Sequence, residues 1–119
     1  MNAELKHCMP TMRHLDLSDY CVVHKRMHEY TDNRNDDSAD EIWFVQHEPV
    51  FTLGRNGNRA NVLIDSDIPV VHSDRGGDVT YHGPGQLLVY CLMDIKRMQI
   101  GVKSLVHGLE EIIIQYLSE

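Results

Sequence analysis

The sequence predicts a small domain that combines short β-strands with two amphipathic helices. Apolar residues recur at helical spacing in residues 20–30 and again in residues 102–117. Two continuous apolar runs, 42–45 and 87–93, are instead typical of buried strands. A length of 119 residues and an apolar fraction of 42% are sufficient for one hydrophobic core. We therefore expect residues 1–119 to form a single domain.

The first helix has clear boundaries in the sequence. Residues 10–16 are predicted as a short strand, and Ser18 is the expected N-cap of the helix that follows. Asp19 would then lie in the first turn, where a negative charge favours the helix dipole. The helix should end near residue 32, because the polar segment 33–40 is rich in Asn and Asp, which suit an exposed loop.

The middle of the chain is predicted to be extended. Residues 41–47 carry apolar side chains on both faces, as expected for an interior strand, and 50–53 continue the strand after Pro49. Residues 68–72 should form a short strand in which Pro69, which cannot donate a ladder hydrogen bond, lies at a sheet edge or at the start of the strand. Residues 86–94 are predicted as the longest strand, in a central position.

The rest of the chain is predicted from its turn residues and its apolar spacing. Gly54–Gly57 contains the turn signal Asn-Gly, and residues 96–101 should also turn. Residues 102–117 form a helix with one apolar face. Residues 61–67 are too short and mixed to assign.

Composition excludes several classes of protein. The formal net charge of −7 argues against general nucleic-acid binding, which needs a basic surface. No apolar run is long enough to span a membrane, and the N-terminal residues lack the apolar run of a signal peptide. The three cysteines have no C-x-x-C spacing, so they favour neither a disulfide framework nor a zinc site. A reducing, cytoplasmic location is the expectation.

The most informative segment is Asp74–Gln86, which reads DRGGDVTYHGPGQ. Glycines on both sides of a short β-prone run allow tight turns and close approach of the backbone to a ligand. Its spacing matches neither a phosphate-binding P-loop nor a dinucleotide fingerprint. Glycines alone would suit a simple hairpin, but Arg75, Tyr81 and His82 at the ends of the run favour a binding site.

Other candidate chemistry in the sequence is weak. His24 and His28 are four residues apart on a predicted helix, like two metal ligands, but no third ligand lies nearby in sequence. Cys8, Cys21 and Cys91 lack the site-like loop expected of a catalytic thiol, although His7 precedes Cys8. We expect no metal and no cofactor.

Two segments, 47–55 and 74–86, resemble the octanoyltransferases of lipoate biosynthesis. The pattern RGG-x-VTYHGPGQ is specific to that family, and the resemblance covers nearly the whole chain from about residue 10. A looser similarity exists to lipoate and biotin protein ligases. The resemblance implies an α+β fold, in which helices pack on a mixed β-sheet as in the biotin and lipoate protein ligases.

The resemblance also implies an activity, namely transfer of an octanoyl group from acyl carrier protein to a lysine of lipoyl domains. The implied acceptors are the E2 subunits of 2-oxoacid dehydrogenases and the glycine cleavage H protein; no nucleic acid or membrane partner is implied. By the same resemblance the acyl-binding residues are Arg75, Gly76, Gly77, Asp78, Val79, Thr80, Tyr81 and His82. Tyr81 and His82 would border the reacting carbonyl.

The catalytic residues of the resembled family are a cysteine and a lysine, and both are expected beyond Glu119. We therefore predict that this chain is an incomplete catalytic domain of the biotin and lipoate ligase type, namely its N-terminal part, and is inactive alone, with exposed apolar surface. Two alternatives stay open: an ATP-dependent lipoate or biotin protein ligase, and a non-catalytic module that binds an acyl group or a protein.

Overall fold

A computed structural model describes residues 9–62 and 66–118 of the chain. Cys8 and the middle of the unassigned segment 61–67 lie outside these residues. The elements, in chain order, are β1 (Thr11–His14), α1 (Tyr20–Asn33), β2 (Glu41–Val45), β3 (Val50–Leu53), β4 (Val70–His72), β5 (Val79–His82), β6 (Leu88–Leu92), α2 (Ile95–Met98) and α3 (Val102–Leu117), with a 3₁₀ turn at Arg59–Asn61 between β3 and β4.

The strands form two mixed sheets of three strands each. In the first sheet, with order β1-β2-β6, β2 is parallel to β1 and antiparallel to β6. In the second, with order β4-β3-β5, β3 is parallel to β4 and antiparallel to β5. The α+β class is therefore confirmed, although the mixed sheet is divided in two. β2 is an interior strand, as predicted, and β4 is an edge strand, which is one of the two alternatives predicted for it.

The core lies between α1 and one face of the first sheet. Val23 of α1 packs with Trp43 and Val45 of β2 and with Leu92 of β6, and all four side chains are buried. Strand alternation explains which residues of β2 enter the core, since residues 41, 43 and 45 face the helix while 42 and 44 face away and are only half-buried. This packing fixes α1 across the sheet and so determines where its polar residues lie.

The start of α1 differs from the prediction by one residue. Asp19, not Ser18, is the N-cap, and its side chain accepts a hydrogen bond of 3.1 Å from the Val22 backbone N–H. Ser18 instead forms a β-bridge with His47, which takes its backbone out of the helix. Both residues are good caps, so the tertiary contact to His47 decided between them.

Two elements are more exposed than their sequences suggest. The prediction of a central β6 is wrong for the described part of the chain, where β6 pairs only with β2 and Val89 is 48% exposed. Helix α3 forms as predicted, but none of its residues is buried, and its apolar side chains, among them Ile113 and Tyr116, face solvent. Exposed apolar surface was expected of this chain.

Within residues 9–62 and 66–118, the structure contains no helix with the length and apolarity needed to cross a membrane.

Candidate functional site

A groove of about 440 Å³ opens between α1, β6 and the segment Asp74–Gln86, which we call the glycine-rich segment. One wall is the face of α1 that carries Met27 and Thr31, and the opposite wall comes from Leu88 and Tyr90 of β6. Thr80 and the other groove-facing residues of segment 73–82 complete the lining. The groove-lining residues are Tyr20, His24, Met27, His28, Thr31, Ser73, Asp74, Arg75, Thr80, His82, Leu88 and Tyr90.

The Gly-Pro-Gly turn positions His82 at the groove. The Gln86 N–H donates to the Gly83 carbonyl over 3.2 Å, with Pro84 second and Gly85 third in the turn. The positive φ of 92° at Gly85 makes this a type II arrangement, which favours glycine at that position. The turn brings the Gln86 side chain back to His82.

Gln86 sets the tautomer of His82. Its side-chain N–H donates to the Tyr81 carbonyl over 3.4 Å, which orients the amide oxygen toward His82. Nδ1 of His82 therefore donates to that oxygen, over 2.6 Å. In the neutral imidazole the other ring nitrogen, Nε2, then carries the lone pair, and residues 9–62 and 66–118 supply it with no hydrogen-bond donor. A buried imidazole held in one tautomer beside a groove can accept a proton or a hydrogen bond from a ligand.

A second histidine, His47, joins the two sheets. Its side chain is fully buried, and Nδ1 donates to the Ser18 carbonyl over 3.0 Å. Nε2 must therefore accept, and it does so from the Tyr90 hydroxyl at 2.8 Å. Burial lowers the pKa of His47, the more so with His82 nearby, and burial also raises the pKa of Tyr90. This hydrogen-bonded pair supports the groove from beneath, through Tyr90.

Tyr20 connects these groups at the floor of the groove. Its ring stacks in parallel with that of His82 at a centroid distance of 6.1 Å and meets the His47 ring edge-on at 5.2 Å. Its hydroxyl donates to Ser73 Oγ over 2.8 Å, which connects α1 to the residue just before the glycine-rich segment.

The first half of the glycine-rich segment contacts other parts of the backbone. The Arg75 guanidinium donates to the Thr52 carbonyl over 2.7 Å and to the Gly76 carbonyl over 2.8 Å. Gly54 packs directly on Gly76 and Gly77, and its N–H donates to the Asp78 carbonyl over 2.7 Å. Because these glycines have no side chains, the backbone loop at Gly54 packs directly against the backbone loop at Gly76 and Gly77. We call these the two interlocked loops.

Three of the eight residues predicted to bind substrate line the groove: Arg75, Thr80 and His82. The Asp78 carboxylate instead accepts from Asn61 Nδ2 over 2.6 Å and from the Asn58 N–H over 3.1 Å. The Tyr81 ring lies on the other face of β5, against Phe51 at 5.3 Å. Val79 shares that face by strand alternation, and Gly76 and Gly77 lie at the interlocked loops.

One polar cluster at the groove joins residues that are far apart in the chain. His24 Nε2 lies 3.0 Å from Asp74 Oδ1, and His28 Nε2 lies 2.9 Å from Asp74 Oδ2. The hydrogen bond from His24 is the main reason that the pKa of Asp74 lies below its usual value. The sequence showed the two histidines but had no signal for the carboxylate, which is 50 positions from His24.

The cysteines that the structure describes lie away from this groove. Cys21 is exposed on α1, and Cys91 is partly buried on β6. Burial raises the pKa of Cys91, which is the opposite of what a thiolate nucleophile needs. Lys25, Lys96 and Lys103 are likewise absent from the groove lining. The groove lining therefore supplies a binding surface and imidazoles, without a cysteine or a lysine.

The fold and the groove together define an α+β domain in which one helix and two mixed sheets enclose a site of small-molecule size. The chain belongs to the lipoyl protein ligase A/B catalytic domain family, which it matches over residues 19–119.

Its similarity to individual proteins is high. The octanoyltransferase of Klebsiella pneumoniae subsp. pneumoniae is 50% identical over 115 residues, which cover 97% of this chain and 54% of that protein. The octanoyltransferase of Shewanella loihica is 52% identical over 114 residues, which cover 96% of this chain and 52% of that protein. The octanoyltransferase of Shewanella halifaxensis is 56% identical over 106 residues, or 89% and 48% of the two chains. The chain thus spans about half the length of the curated relatives it matches.

Proposed function

We propose that this chain provides the acyl-binding half of an octanoyltransferase, an acyltransferase that acts in protein lipoylation and lipoate biosynthesis. The observation that carries the proposal is the groove between α1 and the two sheets, with His82 held in one tautomer at its wall. Relatives that are named octanoyltransferases and are 50% and 52% identical to this chain support the proposal.

The groove suits a medium-length acyl chain in size and in lining. Its volume of about 440 Å³ lies within the usual range of small-molecule sites, roughly 300–1,000 Å³. Met27 and Leu88 provide apolar contacts on opposite walls, and the rings of Tyr20 and Tyr90 add more. Burying seven carbons of an octanoyl chain would contribute about 5–6 kcal/mol, at ~0.8 kcal/mol per CH₂.

His82 is the residue that we assign to the reacting end of the acyl group. Its Nε2 lone pair can accept a proton or a hydrogen bond next to the thioester carbonyl. Gln86 is a positioning residue, since it acts through His82. Tyr81, on the other face of β5, has no such position.

The donor in this proposal is octanoyl-acyl carrier protein, and the acceptors are lysines of lipoyl domains, in the E2 subunits of 2-oxoacid dehydrogenases and the glycine cleavage H protein. The nucleophilic cysteine and its lysine partner would come from outside the groove described here. We therefore expect the chain to bind octanoyl thioesters without turning them over.

The test is calorimetric titration of the 119-residue chain with octanoyl-pantetheine. Thr80→Phe places a ring in the groove and should weaken binding by about tenfold or more, since displacing two CH₂ groups costs ~1.6 kcal/mol. Val89→Phe is the matched control, because Val89 is an exposed strand residue on the other face of β6. Equal affinity of Thr80→Phe and wild type would refute the assignment of the groove.

A parallel acyl-transfer assay with octanoyl-acyl carrier protein and a lipoyl domain should show no turnover by this chain. Titration with ATP tests the ligase alternative. Tight ATP binding that enhances octanoate binding would favour a ligase and contradict the transferase proposal.

A further inference from the structure

The cluster of His24, His28 and Asp74 has the composition of a metal site. We propose that these three side chains bind one divalent transition-metal ion, of which Zn²⁺ is the best match, at the rim of the groove. This inference is independent of the proposed acyl transfer, because it depends only on the chemistry and geometry of the three ligands.

The ligand atoms are already close enough for a metal ion. One potential ligand atom from each of His24, His28 and Asp74 lies within 4.8 Å of the other two. Two ligands of a tetrahedral zinc ion, at ~2.1 Å from the metal, are separated by about 3.4 Å. The observed separations of 3.0 and 2.9 Å between imidazole and carboxylate would thus need only small side-chain rotations.

The backbone arrangement is the one that metal sites use. Residues four apart on a helix point to the same side, so His24 and His28 present both rings to one ion. Their ring centroids are 4.5 Å apart. Two histidines and one carboxylate form a known three-ligand set for zinc, with the fourth position open to water or a ligand.

The site is held together by contacts other than the ion pairs themselves. The His24 ring stacks on Tyr20 at a centroid distance of 5.5 Å, and the Tyr20 hydroxyl bonds to Ser73, the neighbour of Asp74. These contacts therefore hold helix α1 next to the Asp74 backbone even without a metal. Such preorganisation reduces the entropy lost when an ion binds.

The site is open to an ion from solvent. The exposed fractions of the side chains are 27% for His24, 50% for His28 and 64% for Asp74. A simple salt-bridge cluster is the competing explanation. In that case one carboxylate serves two imidazoles, whereas a divalent cation would satisfy all three ligands at once.

The test is titration of the metal-free chain with ZnCl₂ by calorimetry, and with CoCl₂ by visible absorption. We expect one ion per chain and the intense visible bands of four- or five-coordinate Co²⁺. His24→Gln, His28→Gln and Asp74→Asn should each weaken Zn²⁺ binding by at least about tenfold, since even the loss of an outer-shell partner costs 10–100-fold. His72→Gln and His107→Gln are matched controls, because both residues are exposed histidines outside the cluster.

Circular dichroism shows whether each variant folds. If one does not, Co²⁺-induced broadening of the His24 and His28 ring resonances in the wild-type NMR spectrum provides the same test. Binding that is absent, or that the control variants weaken as much as the three ligand variants, would overturn the proposal.

Discussion

Gly54→Ala should destabilise the protein far more than a surface glycine substitution. A Cβ at residue 54 would lie 2.7 Å from the Gly76 oxygen and 2.8 Å from the Gly77 carbonyl carbon, and closer still to the Gly77 oxygen. Ordinary contact begins near 3.4 Å, so the loops must separate by at least 0.7 Å, the difference between 3.4 and 2.7 Å. All three atoms belong to the backbone, so no rotamer change relieves the overlap.

The cost follows from the contacts that this separation disturbs. Overpacking of a filled site costs ~1–3 kcal/mol. The hydrogen bonds from Gly54 N–H to Asp78 and from Arg55 N–H to Arg75 would also lengthen, at ~0.5–1.5 kcal/mol each. We expect a loss of about 3 kcal/mol in the free energy of unfolding, and a fall in the urea midpoint of about 2 M for an m-value near 1.5 kcal/mol/M.

Urea unfolding followed by circular dichroism measures this directly. Gly108→Ala is the control, since Gly108 lies in exposed α3 with nothing near its Cβ position, and the change favours the helix by ~1 kcal/mol. If Gly54→Ala unfolded at the wild-type midpoint, the interlocked loops would be refuted as a source of stability.

Two further predictions concern the buried His47–Tyr90 pair. Tyr90→Phe removes the donor to His47 Nε2 and should lower the free energy of unfolding by ~1–3 kcal/mol. Tyr116→Phe, on exposed α3, is the control and should leave the urea midpoint unchanged. Equal effects of the two substitutions would contradict a stabilising role for the His47–Tyr90 hydrogen bond. Burial lowers the pKa of folded His47 below its unfolded value of ~6.5, so the unfolded state binds more protons between the two values. The contribution of His47 to stability is therefore complete above about pH 6.5 and is lost as the pH falls through the folded pKa; a urea midpoint that does not fall between about pH 7.5 and 5.5 would contradict this.

Local patterns were sufficient to predict most of the secondary structure. Helices α1 and α3 and the interior strand β2 follow from the spacing of apolar residues, a property of neighbours in sequence. The position of β6 did not follow, because an apolar run shows that a strand can be buried on both faces but does not show which strands pair with it. The N-cap shifted to Asp19 for a similar reason, since His47 takes Ser18 into a β-bridge.

The candidate site was only partly predictable. The glycine-rich segment was recognised from its residues, and His82 and Thr80 lie at the groove. The partners that define the chemistry come from distant positions, because His47 meets Tyr90 across 43 residues and Asp74 meets His24 across 50. Arg75 lies at the groove as well, but most of its hydrogen bonds go to backbone carbonyls, which a sequence pattern cannot reveal.

The most direct test of the groove as an acyl site is photoaffinity labelling with an eight-carbon acyl chain that carries a terminal diazirine. Helix α3 is the natural competitor, because its exposed apolar face would attract any fatty chain. We expect mass spectrometry to locate the label on Met27, Leu88 or Tyr90, with competition by octanoyl-pantetheine. Labelling confined to α3, at residues such as Val106 and Ile113, would contradict the account.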